Sequence, residues 1–426
     1  MPLNLLQRDK ATIWHPFTQH KTVLPFLPIV KAQGVYLYDD QNNAYIDAIS
    51  SWWTNLHGHS HPQIAQAIFT QANTLAHVMF AGITHPPAVQ FAEALLKILP
   101  NNLSKIFYSD NGSTAVEVAI KMALQYWQNK NITTRNKIIA FNGSYHGDSF
   151  GAMSVSDRGA FTLPFANYLF DVIFIDTPNA QNINTLLHTI ETHKNNLAFF
   201  IYEPLVQGAG GMHIYEPQFL NPILNAIKQT EAIIIADEVM TGFGRTGKLF
   251  ASEYMPIKPD IICLSKGITG GNLPLAVTAC SQHIYNAFLA DNILQTFFHG
   301  HSYTANPIAC AAALASMQLL LNPTTATNIT VIAQLHQAFV AQHINNKAFC
   351  NLRCLGTILA FEIDNTTHNY VNKIKEETIE QGLQAGIFLR PLGNTIYIMP
   401  PYCITQKQLQ ILYNFLLKVA TKQYIF

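Results

Sequence analysis

Between residues 105 and 265 the chain repeats short apolar runs bounded by polar and turn residues: "KIFYS" (105–109), "KIIAF" (137–141), "DVIFI" (171–175), "LAFFIYE" (197–203), "EAIIIAD" (231–237) and "DIICLS" (260–265). Runs this short, without polar alternation, predict strands buried on both faces, as in a mostly parallel sheet. Between the first two, Val116, Ile120, Ala123, Leu124 and Trp127 fall at helical spacing in "STAVEVAIKMALQYW". They predict a crossover helix laid on that sheet.

After about residue 320 the pattern changes. A helical stretch leads to a strand near "GTILAFEI" (356–363), an amphipathic helix through "IKEETIEQGLQAG", a short strand "TIYIM" (395–399) and a last helix. The expected organisation is a large α/β domain over 51–320 and a smaller α+β domain over 321–426. Residues 1–50, with "GVYLYD" as a strand, are expected to join the smaller one.

No Asp, Glu, Lys or Arg occurs from Asn292 to Asn346, and "ACAAALASMQLLL" lies inside that stretch. Its apolar part falls short of the roughly 20 residues a membrane helix needs. A helix buried in the core or at a subunit interface is expected instead.

Composition narrows the function classes. Charged residues make up 12% of the 426 and balance to zero, so no basic field is available to grip a phosphate backbone or an anionic membrane. The opening "MPLNLLQRDK" lacks a cationic start followed by an apolar core, so a cytoplasmic protein is expected. Cys263, Cys280, Cys310, Cys350, Cys354 and Cys403 form no C-x-x-C pair and mostly sit in apolar runs, which predicts reduced, buried small residues.

The chemistry gathers at the ends of the predicted strands, where open α/β sheets bind ligands. "SDNGSTAVEVA" (109–119) ends a strand and opens a helix, so the amides of Gly112 and Ser113 can hold a phosphate. Tyr145, in "YHGDSFGAMSVS", follows the next strand and can stack on a flat ligand. Taken singly, a helix cap and a core tyrosine account for these residues as well. Asp237 and Glu238 end a very apolar strand, where a carboxylate is costly to bury without a donor or cation. Together these pieces fit a heteroaromatic phosphate: Asp237 pairs with a protonated ring nitrogen, and Tyr145 and Val239 cover the two faces. Lys266, in "ICLSKGITGG", ends the next strand and is placed to form an imine with an aldehyde on that ring.

"EPLVQGAGG", "ADEVMTGFGRTGKLFA", "PDIICLSKGITGG" and "HGHSYTANPIACAAA", in this order, resemble the class III, fold-type I aminotransferases that use pyridoxal phosphate. The resemblance covers nearly the whole chain. "IWHPFTQH" (13–20) and "DAISSWWTNLHGHSHPQIAQAI" (47–68) are similar to the branch of that family that aminates 8-amino-7-oxononanoate to 7,8-diaminononanoate in biotin synthesis.

The resemblance implies pyridoxal 5'-phosphate as cofactor, Lys266 as the Schiff-base lysine, Asp237 as the pyridinium partner, Tyr145 beside the ring and Gly112–Ser113 as the phosphate loop. It implies that Trp52, Trp53 and Asp148 line the substrate pocket and that Arg390 receives a substrate carboxylate through its bidentate fork. Arg245 corresponds to a further pocket arginine, for which a structural ion pair is an equal reading. Ser302 stands where the family usually has a threonine that reaches the phosphate of the neighbouring subunit, which implies a homodimer with composite sites. The resemblance implies S-adenosylmethionine as amino donor, with lysine, used by some relatives, as the alternative; Phe17 stands where tyrosine is common in this branch, and the lost hydroxyl bears on that choice.

Other readings have less behind them. His57, His59 and His61 alternate, as do His299 and His301, but no carboxylate or cysteine completes a metal set and no metal is expected. No G-x-G-x-x-G follows a strand, against a nicotinamide enzyme. A binding module that had lost its chemistry would most simply lack Lys266 or Asp237. The remaining competitor is another class III enzyme acting on ornithine, 4-aminobutyrate or an ω-amino acid, against which stand the tryptophan pair and "WHPFTQH".

Overall fold

A computed structural model describes residues 4–23, 26–363 and 373–421. Seven strands form its central sheet, in the order Leu103–Ser109, Ala276–Ser281, Ile261–Leu264, Ile233–Asp237, Leu197–Tyr202, Lys137–Phe141 and Ile173–Ile175. The five from Ile261–Leu264 onward run parallel, and Ala276–Ser281 is antiparallel to both its neighbours. Each of the six predicted strands is present. Leu197–Tyr202 is buried at every position, as its unbroken apolar run requires.

Ala276–Ser281 had no expectation behind it. Its sequence, "AVTACS", carries hydroxyls at core positions, and these are satisfied inside: Thr278 Oγ1 donates to the Ala115 carbonyl at 2.8 Å. The helix Gly112–Asn129 packs on this part of the sheet, capped by Asn111, whose side chain accepts from the Thr114 amide. Val116, Ile120, Ala123 and Trp127 are buried, but Leu124, expected on the same face, is 38% exposed.

The charge-free stretch contains the helix Pro307–Leu320, which packs against Pro62–Thr74 and Pro86–Leu96 and buries Ala309, Cys310, Ala313 and Met317. Among the described residues no single helix is long and apolar enough to cross a membrane; Pro307–Leu320 and Pro323–His343 together are bent by 67°.

The two ends of the chain meet. Ile29–Gln33, Tyr36–Asp39 and Ala44–Asp47 form a sheet that Ile387–Phe388 completes in parallel. Ile358–Glu362 and Thr395–Ile398 pair with each other, and Cys350–Leu355, a strand whose polar interruptions hid it from the apolar pattern, pairs with the first of them. This sheet carries Tyr397, whose hydroxyl meets Trp53 Nε1, and the segment before it carries Arg390, set over the Trp52 ring. Cys263, Cys280 and Cys310 are buried, Cys350 and Cys354 are half-buried, Cys403 is exposed, and all six are free thiols.

Candidate active site

Asp237 ends the Ile233–Asp237 strand and is 5% exposed. Its Oδ1 accepts the Val239 amide at 3.0 Å, and its Oδ2 lies 2.7 Å from His146 Nδ1. A carboxylate so placed takes a proton from the imidazole side, so Nδ1–H donates and the ring is fixed. Among the described residues His146 Nε2 has no partner.

Lys266 begins the turn that follows Ile261–Leu264 and adopts a left-handed φ of 44°. Its Nζ sits 4.4 Å from the centre of the Trp53 ring. Burial pushes its pKa down to about 8, against the pull of the Asp237 and Glu203 carboxylates. A lysine so placed holds roughly a tenth of its amine neutral and nucleophilic at pH 7, and half near pH 8, far more than an ordinary lysine.

Glu203 is buried beside them and holds the backbone of the site. Its two oxygens accept the Tyr145 and Gly208 amides at 3.0 Å each, which fixes where the Tyr145 ring leaves the chain. Burial pushes its pKa up to about 7, with the nearby His146 acting in the other direction. Glu238, next to Asp237, faces away from the cleft. It accepts from the Ala251 and Ser252 amides and the Thr241 hydroxyl, and so ties a loop to the core.

The start of the helix Gly112–Asn129 makes a cradle. A Cβ at Gly112 would meet Val239 Cγ1 at 2.8 Å, so only glycine lets Val239 close over the helix start. A Cβ at Gly147 would collide with Ser113 Oγ, which accepts the Asp148 amide at 3.1 Å. Among the described residues the Gly112 and Ser113 amides are taken by no protein acceptor. These two free amides at the positive end of an 18-residue helix suit a phosphate.

The opposite wall is aromatic. Residues Ser50, Ser51, Trp52 and Trp53 all have left-handed φ values, 52°, 45°, 66° and 76°. Such a conformation costs non-glycine residues about 1–2 kcal/mol each, so the turn must be held from outside. It presents Trp53 to Lys266 and anchors Trp53 Nε1 on the Tyr397 hydroxyl at 2.8 Å. It presents Trp52 to Arg390, whose guanidinium lies 5.2 Å from the ring centre, and to Phe17, whose ring meets Trp52 edge-on at 5.5 Å. Phe17 also meets Phe161 at 5.7 Å, and its carbonyl accepts from Arg390 Nη2 at 3.4 Å. Beyond Tyr145 a cleft of roughly 340 Å3 opens, lined by Asp148, Asp157, Phe161 and Leu392 among others.

Arg245 and Ser302 are set apart from these residues, and for Ser302 an exposed place on this chain is what a role toward a neighbouring subunit calls for. Arg245 is 1% exposed; its guanidinium donates to the carbonyls of Trp53, Asn55 and Pro400 at 3.1 Å each and stacks on Tyr402. The Nη donors are taken by backbone carbonyls and not by a carboxylate, and among the described residues Nε has no partner, so Arg245 is buried beneath the Trp53 turn and does not line the open cleft. Ser302 is exposed on this chain's surface, among the exposed Phe298 and Tyr303. His146 and Glu203 were missed, although both lie inside quoted motifs; the signal was the rule that a buried carboxylate such as Asp237 must have a donor. The histidine repeats serve structure: His57 bonds Ser316, burial holding its pKa down at about 3, and His59 bonds Asp47. Among the described residues no group of His, Cys, Asp or Glu could hold a metal ion.

A buried carboxylate, an amine with depressed pKa, a tyrosine lining the cleft and a helix N-terminus offering two amides suit the ring nitrogen, aldehyde, ring face and phosphate of pyridoxal phosphate. Residues 17–419 match the class-III aminotransferase family. The adenosylmethionine-8-amino-7-oxononanoate aminotransferase of Synechococcus elongatus is 45% identical over 94% of this chain and 96% of its own. The crystal structure of the enzyme of that name from Methanocaldococcus jannaschii superposes with a TM-score of 0.93 at 36% identity, covering 98% of each chain. An amine transaminase from an uncultivated Pseudomonas species, with pyridoxal phosphate bound, gives 0.89 at 28% identity, covering 96% of this chain and 98% of that one. The chain belongs to the class-III aminotransferases, fold-type I enzymes that work with pyridoxal phosphate, and its nearer relatives among those compared are adenosylmethionine-8-amino-7-oxononanoate aminotransferases.

Proposed function

We propose that this enzyme aminates 8-amino-7-oxononanoate to 7,8-diaminononanoate, the biotin-pathway step, with S-adenosylmethionine as amino donor. One observation carries the reading: two adjacent tryptophans each bear a cation on the ring, Lys266 on Trp53 and Arg390 on Trp52. A long apolar keto acid laid along this aromatic wall puts its carboxylate on Arg390 while its ketone points to the Lys266 end.

When bound, pyridoxal phosphate supplies the carbonyl that takes up the amino group and the ring that accepts charge from the substrate carbon. Lys266 would hold it covalently, and its Nζ would move the proton to and from the reacting carbon. Asp237 holds the ring nitrogen's proton, His146 fixes Asp237, and Tyr145 and Val239 cover the ring faces. The Gly112 and Ser113 amides take the phosphate. Asp148 and Phe17 border the space for the substrates.

The working unit is proposed to be a cytoplasmic homodimer in which Ser302 completes the phosphate site of a second copy. In support, Ile293, Leu294, Phe298 and Tyr303, which flank Ser302 in the chain, are all more than 60% exposed, a surface that a second subunit would cover.

The test is to mix the cofactor-loaded protein with S-adenosylmethionine and, separately, with lysine, and to follow the visible absorbance of the lysine-bound cofactor. Loss with S-adenosylmethionine alone, followed by recovery on adding 8-amino-7-oxononanoate, is the expected result. Loss with lysine alone changes the donor; a response only to ornithine or 4-aminobutyrate overturns the reading.

A further inference from the structure

The left-handed turn Ser50–Trp53 contains no glycine or asparagine, so its own residues do not favour it. Backbone bonds run across it from the Trp53 amide to Ile49 and from the Thr54 and Asn55 amides to Ser50, but these close the turn without choosing its hand. Its two ends are held by known anchors: Ser50 Oγ donates to the Met399 carbonyl at 2.7 Å, and Trp53 is fixed by Tyr397 and Arg245. The middle, where Trp52 sits, needs another anchor.

That anchor is Asp47. It is fully buried, its Oδ1 accepts the Ile49 amide at 3.2 Å, and its Oδ2 accepts the Ser51 hydroxyl at 2.8 Å. Two donors from the turn would leave a buried carboxylate under-satisfied. The further donor is His59, whose Nε2 lies 2.8 Å from the same Oδ2.

The tautomer follows from the next residue in the chain of bonds. Asn55 Oδ1 accepts the Gly58 amide at 2.8 Å, so its Nδ2 faces His59 Nδ1, at 3.1 Å. Nδ1 therefore accepts, and Nε2 carries the proton given to Asp47. The backbone of His59 is fixed too, exchanging bonds of 3.1 and 2.7 Å with Gly34 between the first two N-terminal strands.

We propose that His59 and Asp47 form a latch that sets the left-handed turn and thereby the place of Trp52 in the substrate pocket. His59 is a positioning residue: it acts on the pocket through Asp47 and Ser51. The pocket role of Trp52 rests on the function proposed above; the conformation of the turn does not.

The test compares His59→Ala, His59→Gln and Ser51→Ala with the parent protein. First, near-ultraviolet circular dichroism of the cofactor-free proteins, with Trp52→Phe identifying the Trp52 band, reads the turn directly. His59→Ala is expected to lose that band, Ser51→Ala to weaken it, and His59→Gln, whose amide can donate where Nε2 does, to restore it. Second, the KM for 8-amino-7-oxononanoate is expected to rise about tenfold in His59→Ala with kcat within about threefold, the pattern of lost ground-state and transition-state binding alike. A parent-like band and KM in His59→Ala would overturn the latch. So would equal loss in His59→Ala and His59→Gln, or a failure of His59→Ala to fold accompanied by a parent-like band in Ser51→Ala. If the parent protein turns over no 8-amino-7-oxononanoate, the proposed substrate fails, while the circular dichroism still decides the latch.

Discussion

His146 Nδ1 and Asp237 Oδ2 stand 2.7 Å apart with neither side chain more than 5% exposed, so the carboxylate proposed to pair with the cofactor ring is itself held by a buried imidazole. A hydrogen bond to a charged group contributes about 1.5–3 kcal/mol, which corresponds to roughly ten- to a hundredfold in a rate it supports. His146→Ala should lower kcat by that factor while the protein still binds pyridoxal phosphate. His146→Asn, whose amide can donate from nearly the position of Nδ1, should recover much of it. Steady-state kinetics alongside cofactor absorbance check both.

Lys266 gives a pH signature. Its pKa is depressed from 10.5 to about 8, so the neutral amine gains population as pH rises through 8. Uptake of pyridoxal phosphate by the apo enzyme should therefore quicken with rising pH, half-maximal near pH 8. Because the folded apo enzyme binds fewer protons than the unfolded chain between about pH 8 and 10.5, its stability should also rise across that window. Lys266→Met should abolish covalent uptake and flatten the rise, as read by stopped-flow absorbance and by urea denaturation of the apo protein.

Glu203 titrates in the opposite sense. Its pKa is raised from 4.5 to about 7 by burial, so the stability it contributes is full below pH 4.5 and is lost as pH rises to about 7. Glu203→Gln removes that slope. It also leaves one of the Tyr145 and Gly208 amides without an acceptor, a cost of about 1–3 kcal/mol for a buried donor. Urea unfolding of both proteins across pH 4.5–7 should show the parent losing stability with pH and the variant, lower at the acid end, holding level.

The strand ends that carry Asp237 and Lys266 were legible because a buried parallel strand writes itself as an unbroken apolar run, and a charge at its end stands out. Gly112 was legible for a related reason, as a turn residue between a strand and a helical stripe. Ala276–Ser281 was not, since small and hydroxyl residues in a core strand look like a loop until Thr278 finds the Ala115 carbonyl. The Ser50–Trp53 turn was hidden more deeply: its side chains bond to Asp47, Met399 and Tyr397, two of them more than 300 residues away in sequence. Motif likeness placed Trp52 and Trp53 in the pocket but could not say what holds them there.

Arg245 and Arg390 should separate cleanly by experiment, although both were expected at the substrate. Arg245 is buried and its three bonds go to the carbonyls of Trp53, Asn55 and Pro400. Lysine, with a single ammonium, does not reach three carbonyls in a plane. Arg245→Lys should therefore destabilise the protein, by about 2 kcal/mol for weakened charge-assisted bonds, and shift the Trp53 side of the pocket only as a consequence. Arg390 is partly open and stacked on Trp52, and among the described residues its hydrogen bond is the 3.4 Å one to the Phe17 carbonyl, which leaves donors for a ligand. Arg390→Ala should leave the melting temperature nearly unchanged and raise KM for the keto acid by roughly tenfold or more, the worth of a charge-assisted pair at a half-exposed site. A melting curve and a KM on each variant suffice: if Arg245→Lys melts like the parent but loses substrate affinity, its guanidinium leaves the carbonyls to meet substrate, and the two arginines act together on the ligand.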